Sequence, residues 1–199
     1  MRLISHLTGI EFVRIRDRNY NDKEKETINK AIEWIKSKCF IHEYIPVLSD
    51  DKLISLSKQT KHKYGVEVLI LDYLKSNGSY YLDAYKNSAS LGKCTDTLKN
   101  IIAGKEGMFV LSAVQSNADG SIADSAKIIR NCSALLYLER KSDEEIRNDG
   151  GIEYGNMKLQ VKANRNGPLH GDNEYMSLLL EGNKCMFSES RQPEKTMPY

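Results

Sequence analysis

Residues 65–74 read GVEVLILDYL, and no other stretch restricts the fold so tightly. Val66, Val68, Leu69, Ile70 and Leu71 form a short apolar run with turn residues on both sides. Such a run fits a strand buried on both faces in the middle of a parallel sheet. It ends in Asp72, followed by Tyr73 and a polar, glycine-containing loop over 75–79. In open α/β sheets, ligands bind at the carboxyl ends of the strands. An acid at that edge can hold Mg²⁺, directly or through water, beside a nucleotide's phosphates. It can equally be the turn or N-cap aspartate of an ordinary buried strand.

The segments on either side fit this frame. A helix followed by a loop is expected over 1–20. Asn21 caps a second helix running to about Lys38, with Glu24 at capping-box spacing and Ile28, Ala31, Ile32 and Ile35 on one face. A short strand is expected over 40–45. Ser49 opens another helix with Asp50 and Asp51 near its positive end, and Gly65 stops it. Beyond Asp72, a helix over 84–103 places Leu91, Leu98, Ile101 and Ile102 inward. A second buried strand, 107–114, ends at Gln115. A small-residue loop and a short helical stretch lead to a third strand, 134–138. An acidic, glycine-rich turn over 143–151, a strand over 158–163 and a tight turn over 164–171 follow. A hairpin of strands 175–180 and 184–187, joined at Gly182 and Asn183, closes the pattern. Strands alternating with helices argue an α/β fold: a mainly parallel sheet with flanking helices and antiparallel strands at the C-terminal edge.

At 199 residues the chain can build one sizeable core, so one domain is expected over 1–187. Residues 188–199 are polar, carry two of the four prolines, and read as a flexible tail. The net charge of +2 does not announce a nucleic-acid partner, and local patches decide that question instead. No apolar run approaches the length of a membrane span, and the start has no signal-peptide core. Cys39, Cys94, Cys132 and Cys185 lie far apart without a CxxC pair, as reduced thiols of a cytosolic protein do.

Three polar groups follow expected strands: Asp72, Gln115 and Arg165. Phosphoryl transfer uses these types, the acid for metal, the amide to orient water or sense the terminal phosphate, the guanidinium to neutralise transition-state charge. Singly, Gln115 can be a loop cap and Arg165 a solvated turn residue. Together they carry a resemblance. The chain resembles the C-terminal RecA-like ATPase domain of DnaB-type replicative helicases, particularly phage-encoded ones. VLILDYL resembles the family's Walker B strand, and FVLSAVQSN the strand ending in its phosphate-sensing glutamine. SIADSAKIIRNCSALLYLER is similar to its DNA-binding loop and the strand after it. KANRNGP resembles the basic finger that reaches a neighbouring subunit's ATP, and RLISHLTGIEFVRIRDRNYND the helix and linker after its catalytic glutamate. The blocks keep the family's order over residues 2–188.

The resemblance implies Mg²⁺ at Asp72, with Tyr73 beside the nucleotide. It implies Gln115 as sensor of the ATP terminal phosphate and Arg165, with Lys162, acting on a neighbour's ATP. It implies single-stranded DNA at Asn117, Asp124, Ala126 and Lys127. The implied activity is ATP-dependent 5′–3′ unwinding by a homo-oligomeric ring, likened to a hexamer, in the cytoplasm of a bacterial host, with primase or a loader among its partners and no membrane. Two departures matter. The family's P-loop, GxxxxGK[ST], whose backbone amides and lysine cradle the phosphates, occurs nowhere in these residues, and the match begins after the family's general-base glutamate. Little ATP affinity is therefore expected from this polypeptide until a P-loop-bearing half completes it, and the isolated chain is expected to be aggregation-prone or partner-dependent. The alternative is a non-catalytic remnant or interaction module that keeps only the fold and the subunit interface. Many relatives also carry a lysine two residues before the finger arginine, where this chain has Ala163. Lys162 serves that role only if a bulge shifts the strand by one residue. Ala123 stands where cellular relatives often have arginine, leaving Lys127 as the nearby cation, so DNA contact would go mainly to phosphates.

Overall fold

In the computed structural model, residues 1–45, 49–74, 84–115, 125–171 and 174–191 are described. The chain divides into two compact units, Met1–Phe40 with Ala134–Tyr199, and Ile41–Ser133.

The first unit begins with α1 (Arg2–Thr8), which ends at Gly9 in the left-handed conformation (φ 70°). Then come α2 (Phe12–Arg16) and α3 (Asp22–Lys36). The capping box at Asn21 is complete: its side chain accepts from the Glu24 N–H at 3.0 Å, and Glu24 accepts from the Asn21 N–H at 2.9 Å. The same carboxylate receives both terminal nitrogens of Arg14 at 2.7 Å, so the cap of α3 also ties down α2. The Asn21 N–H and then Arg14 hold the Glu24 carboxyl below the usual carboxylate range. Ile10, Ile15 and Ile28 form the buried cluster here, with Ile4, Tyr20 and Ile32 packed against it.

The same unit carries a four-stranded antiparallel sheet in chain order: β3 (Ala134–Arg140), β4 (Met157–Asn164), β5 (Met176–Glu181) and β6 (Met186–Glu189), numbered after the two strands of the second unit. Residues 143–151, expected as a turn, begin with a helix, α7 (Asp143–Asn148). Ser142 and Glu145 form a second capping box, and this S-x-x-E signal outweighs the acidic, glycine-rich composition. Glu145 also accepts from Lys158 Nζ at 2.8 Å, fastening α7 to β4. Lys141 is fully buried. Its ammonium donates to Asp149 Oδ2 at 2.5 Å, Ser177 Oγ at 2.7 Å and the Tyr154 carbonyl at 3.2 Å. The closing hairpin is present, with a 3₁₀ turn over Gly182–Lys184. β6 extends past the expected start of the tail. The Ser190 hydroxyl donates to the Ser177 carbonyl at 2.9 Å and the Arg191 N–H to the Glu153 carbonyl at 3.0 Å, while 192–199 lie outside the described residues.

In the second unit, residues 41–45 form no strand, although one was expected over 40–45: they lack a ladder partner among the described residues, and Phe40 and Tyr44 stand exposed. α4 (Asp50–Tyr64) starts where the Ser49 hydroxyl accepts from the Lys52 N–H and stops at Gly65 (φ 69°), as its sequence signals require. β1 (Val68–Leu74) pairs in parallel with β2 (Phe109–Val114). α5 (Ala84–Thr97) continues into a π-helical stretch, Leu98–Lys105, and buries Leu91, Leu98 and Ile102. α6 (Ser125–Asn131) completes this unit.

The parallel pair departs from expectation in one respect. Leu69 and Leu71 are half-buried, but Val68, Ile70, Phe109 and Leu111 are 51%, 63%, 64% and 52% exposed. The run is apolar on both faces, yet the described residues cover only one, which leaves an apolar face of the kind that parallel sheets normally bury.

Replacing Lys141 by Met removes three hydrogen bonds and takes the ammonium away from Asp149. Stability should fall by about 2–3 kcal/mol, read as a lower urea midpoint in the fluorescence of the sole tryptophan, Trp34. An unchanged midpoint would show that the buried ammonium contributes nothing net. Burial, and secondarily Asp50, pushes the Cys94 thiol up from 9.0 to about 11. The folded thiol therefore keeps its proton where the unfolded one loses it, so this contribution is complete below pH 9 and is lost as pH rises toward about 11. Thermal midpoints should decline across that window more steeply in the wild type than in Cys94→Ala.

Candidate functional site

Parallel pairing puts the carboxyl ends of β1 and β2 side by side, and with them Asp72 and Gln115. Pairing is regular from Val68 opposite Phe109 to Leu71 opposite Ser112, then resumes at Leu74 opposite Val114. Asp72 and Tyr73 thus face the single residue Ala113, a bulge that breaks the in–out alternation. Both side chains are consequently exposed although they are neighbours in a strand. The peptide bond between them is cis. The Ser112 hydroxyl donates to the Leu71 carbonyl at 3.0 Å, locking β2 to β1 one residue before the bulge. Nothing but a lone hydroxyl in the apolar FVLSAV run marked Ser112 for this part. Asp72, Tyr73, Ala113, Val114 and Gln115 line an open depression of ≈ 260 Å³.

The donor set fits part of a nucleotide site. Mg²⁺ is commonly held by one or two carboxylates, the remaining ligands being water and phosphate oxygens. Asp72 is one exposed carboxylate of that kind, and among the described residues no cluster of three or more His, Cys, Asp or Glu offers a fuller protein cage. The Gln115 amide, exposed beside it, can donate to or accept from a phosphate or a water. The GxxxxGK[ST] motif, whose backbone amides cradle phosphates, does not occur in these 199 residues.

Lys162 and Arg165 belong to the other unit, at the end of β4. A second bulge falls there. Leu135 pairs with Ala163 and Leu136 with Val161, so Lys162 is the extra residue. Its ammonium lies 5.9 Å from the centre of the Tyr137 ring. Among the described residues, both register irregularities therefore sit on residues singled out as functional. Beyond the strand, Asn164 shapes the turn that presents Arg165: its Oδ1 accepts from the Asn166 N–H at 3.2 Å and its Nδ2 donates to the Pro168 carbonyl at 3.4 Å. The Val161 N–H donates to His170 Nδ1, and the His170 N–H returns to the Val161 carbonyl, each at 3.2 Å, closing the base of the turn. Arg165 itself is exposed. Asn164 was legible only as a generic turn residue, since its two bonds depend on the fold of the turn.

Of the residues expected at DNA, Asn117 and Asp124 lie outside the described residues. Ala126 and Lys127 fall in the first turn of α6. Lys127 pairs with Asp96 at 3.0 Å.

No protein-family model matches the sequence, and no curated protein does. The likeness is three-dimensional. A DnaB-like replicative helicase, whose structure was described with its interactions with primase, aligns at TM-score 0.71 and 16% identity. That match covers 96% of this chain and 47% of the helicase. A second solved structure, described as an ATPase domain, aligns at TM-score 0.70 and 17% identity, over 96% of this chain and 69% of that domain. The chain therefore has the RecA-like α/β fold of a helicase ATPase domain, and it spans about half the length of the first of these proteins. No helix among the described residues is long and apolar enough to cross a membrane.

The Asn164 turn is open to a direct check. Replacing Asn164 by Ala removes the two side-chain bonds across the tip of the turn and leaves the Val161–His170 pair at its base, so limited trypsin should cut after Arg165 several-fold faster, with other sites unchanged by mass spectrometry. Equal rates would show that the turn holds its shape without the Asn164 side chain.

Proposed function

We propose that this chain forms the metal-binding, phosphate-sensing and finger-bearing part of an ATP-driven replicative DNA helicase. The carrying observation is the placement of Asp72 and Gln115 at adjacent carboxyl ends of β1 and β2, within the fold of a helicase ATPase domain. Asp72 would hold Mg²⁺, which would supply positive charge against the phosphates during transfer. Tyr73 lies against the nucleotide, and Gln115 orients the attacking water and registers the presence of the terminal phosphate. Arg165, presented by the Asn164 turn, stabilises the transition state on the nucleotide of a neighbouring copy, with Lys162 at the bulge in support. Such an arrangement requires a ring, hexameric in this reading, because no copy completes its own site. Asn117, Asp124, Ala126 and Lys127 engage the backbone of single-stranded DNA, and movement of that contact with the nucleotide state drives 5′–3′ unwinding. Primase or a loader is the expected partner in replication.

A P-loop must come from a segment outside these 199 residues. The exposed apolar face of Val68, Ile70, Phe109 and Leu111 gives such a segment a surface to cover on the very strands that carry the site. The competing reading, a module that keeps the fold without catalysis, rests on the same missing cradle.

DNA-stimulated ATP hydrolysis separates the two. The chain alone should hydrolyse no ATP. Mixed with a P-loop-bearing segment encoded in the same genome, it should hydrolyse ATP when single-stranded DNA is added, and Arg165→Ala should lower kcat by about 10³-fold or more. Hydrolysis by the chain alone would place a phosphate cradle in residues not recognised as one. A mixture that stays inactive would favour the non-catalytic module.

A further inference from the structure

α6 is fastened to α5 through one carboxylate that divides its two oxygens between different tasks. Asp96 Oδ1 accepts from Asn131 Nδ2 at 2.8 Å, and the same amide nitrogen reaches Thr95 Oγ1 at 3.1 Å. Asp96 Oδ2 faces Lys127 Nζ at 3.0 Å. The first contact, the uncharged Asn131 amide donating to the carboxylate, anchors the C-terminal end of α6. The second is a charge pair at its N-terminal end. Buried Ile128, next to Lys127, holds the helix down by packing, so the ion pair is not what seats it. Asn131 foremost, then Lys127, keep the Asp96 carboxyl below the usual carboxylate range, which leaves it charged at neutral pH.

The pair is open to solvent, with side-chain exposures of 39% for Lys127 and 43% for Asp96. An ion pair so exposed is weak and exchangeable. A phosphate oxygen approaching Lys127 competes with Asp96 for the ammonium and is repelled by the carboxylate until the pair opens. We propose that Asp96 is the built-in counter-ion of Lys127, a positioning residue that sets how strongly, and at what salt concentration, α6 takes a phosphate of single-stranded DNA. This rests on the reading of Lys127 as a DNA contact.

Asp96→Asn separates the two tasks, because the amide oxygen can still accept from Asn131 while the charge is lost. The measurement is fluorescence anisotropy of a labelled oligo(dT) with the full chain, over a series of salt concentrations. The variant should bind about three- to fivefold more tightly at low salt. Its plot of log K against log salt should steepen by about 0.7, one additional effective phosphate neutralised on a single strand. In the Lys127→Ala background the same change should give no gain, because there is no ammonium left to release. A gain that survives in that background would reduce Asp96 to a general source of negative charge and overturn the proposal. Equal binding by wild type and Asp96→Asn would overturn it while leaving the nucleic-acid reading intact. Failure of both proteins to bind oligo(dT) would remove that reading and this proposal with it. A second readout needs no DNA: acylation of Lys127 by a water-soluble active ester, followed by mass spectrometry, should be faster in Asp96→Asn than in wild type. An unchanged rate would show that the pair does not hold the ammonium in solution.

Discussion

The parallel hydrogen bonding of β1 to β2 is the constraint on which the candidate site depends. Parallel register brings like ends together, so two residues distant in the chain, Asp72 and Gln115, meet at one edge. An antiparallel pairing of the same strands would have sent them to opposite ends. The pairing is reinforced at the useful end by the bond from Ser112 to the Leu71 carbonyl, immediately before the ladder slips. Asp72 shares the exposed face of Val68 and Ile70, and the bulge brings Tyr73 out beside it, where strict alternation would have hidden that side chain. Alternation alone exposes the acid, and the local irregularity adds Tyr73 beside it.

The other unit solves a related problem with side-chain fasteners. Glu24 and Glu145 each close a capping box and hold a basic partner, Arg14 in one case and Lys158 in the other. Buried Lys141 joins the start of α7's segment to β5 through Asp149 and Ser177. These bonds fix β4, the strand from which Lys162 and Arg165 emerge. The bulge at Lys162 and the Asn164 turn are then small departures on a rigid base, which would suit the finger role proposed for Lys162 and Arg165.

Much of this was legible in the sequence because the signals were local. Asn21 with Glu24, Ser49 and Gly65 announced helix ends through chemistry that acts within four residues. Ser142 with Glu145 carried the same signal but was hidden by an acidic, glycine-rich context that reads as a turn. The 40–45 segment failed for the opposite reason: its composition favours a strand, but a strand exists only with a partner, and none is present there among the described residues. The apolar run of β1 was read as buried on both faces. Its pattern does ask for that, whereas the described residues cover one face only.

The sequence by itself determined the capped ends of α3 and α4, the extended runs of β1 and β2, and which polar residues stand at their ends, because capping, periodicity and turn chemistry are local. Tertiary structure alone decided the rest. Register placed the bulges at Asp72–Tyr73 and at Lys162, and helix packing set Asp96 between Lys127 and Asn131. Those outcomes depend on which distant segments come together, and a hydrogen-bond ladder or an ion pair between them leaves no periodic trace in either segment alone.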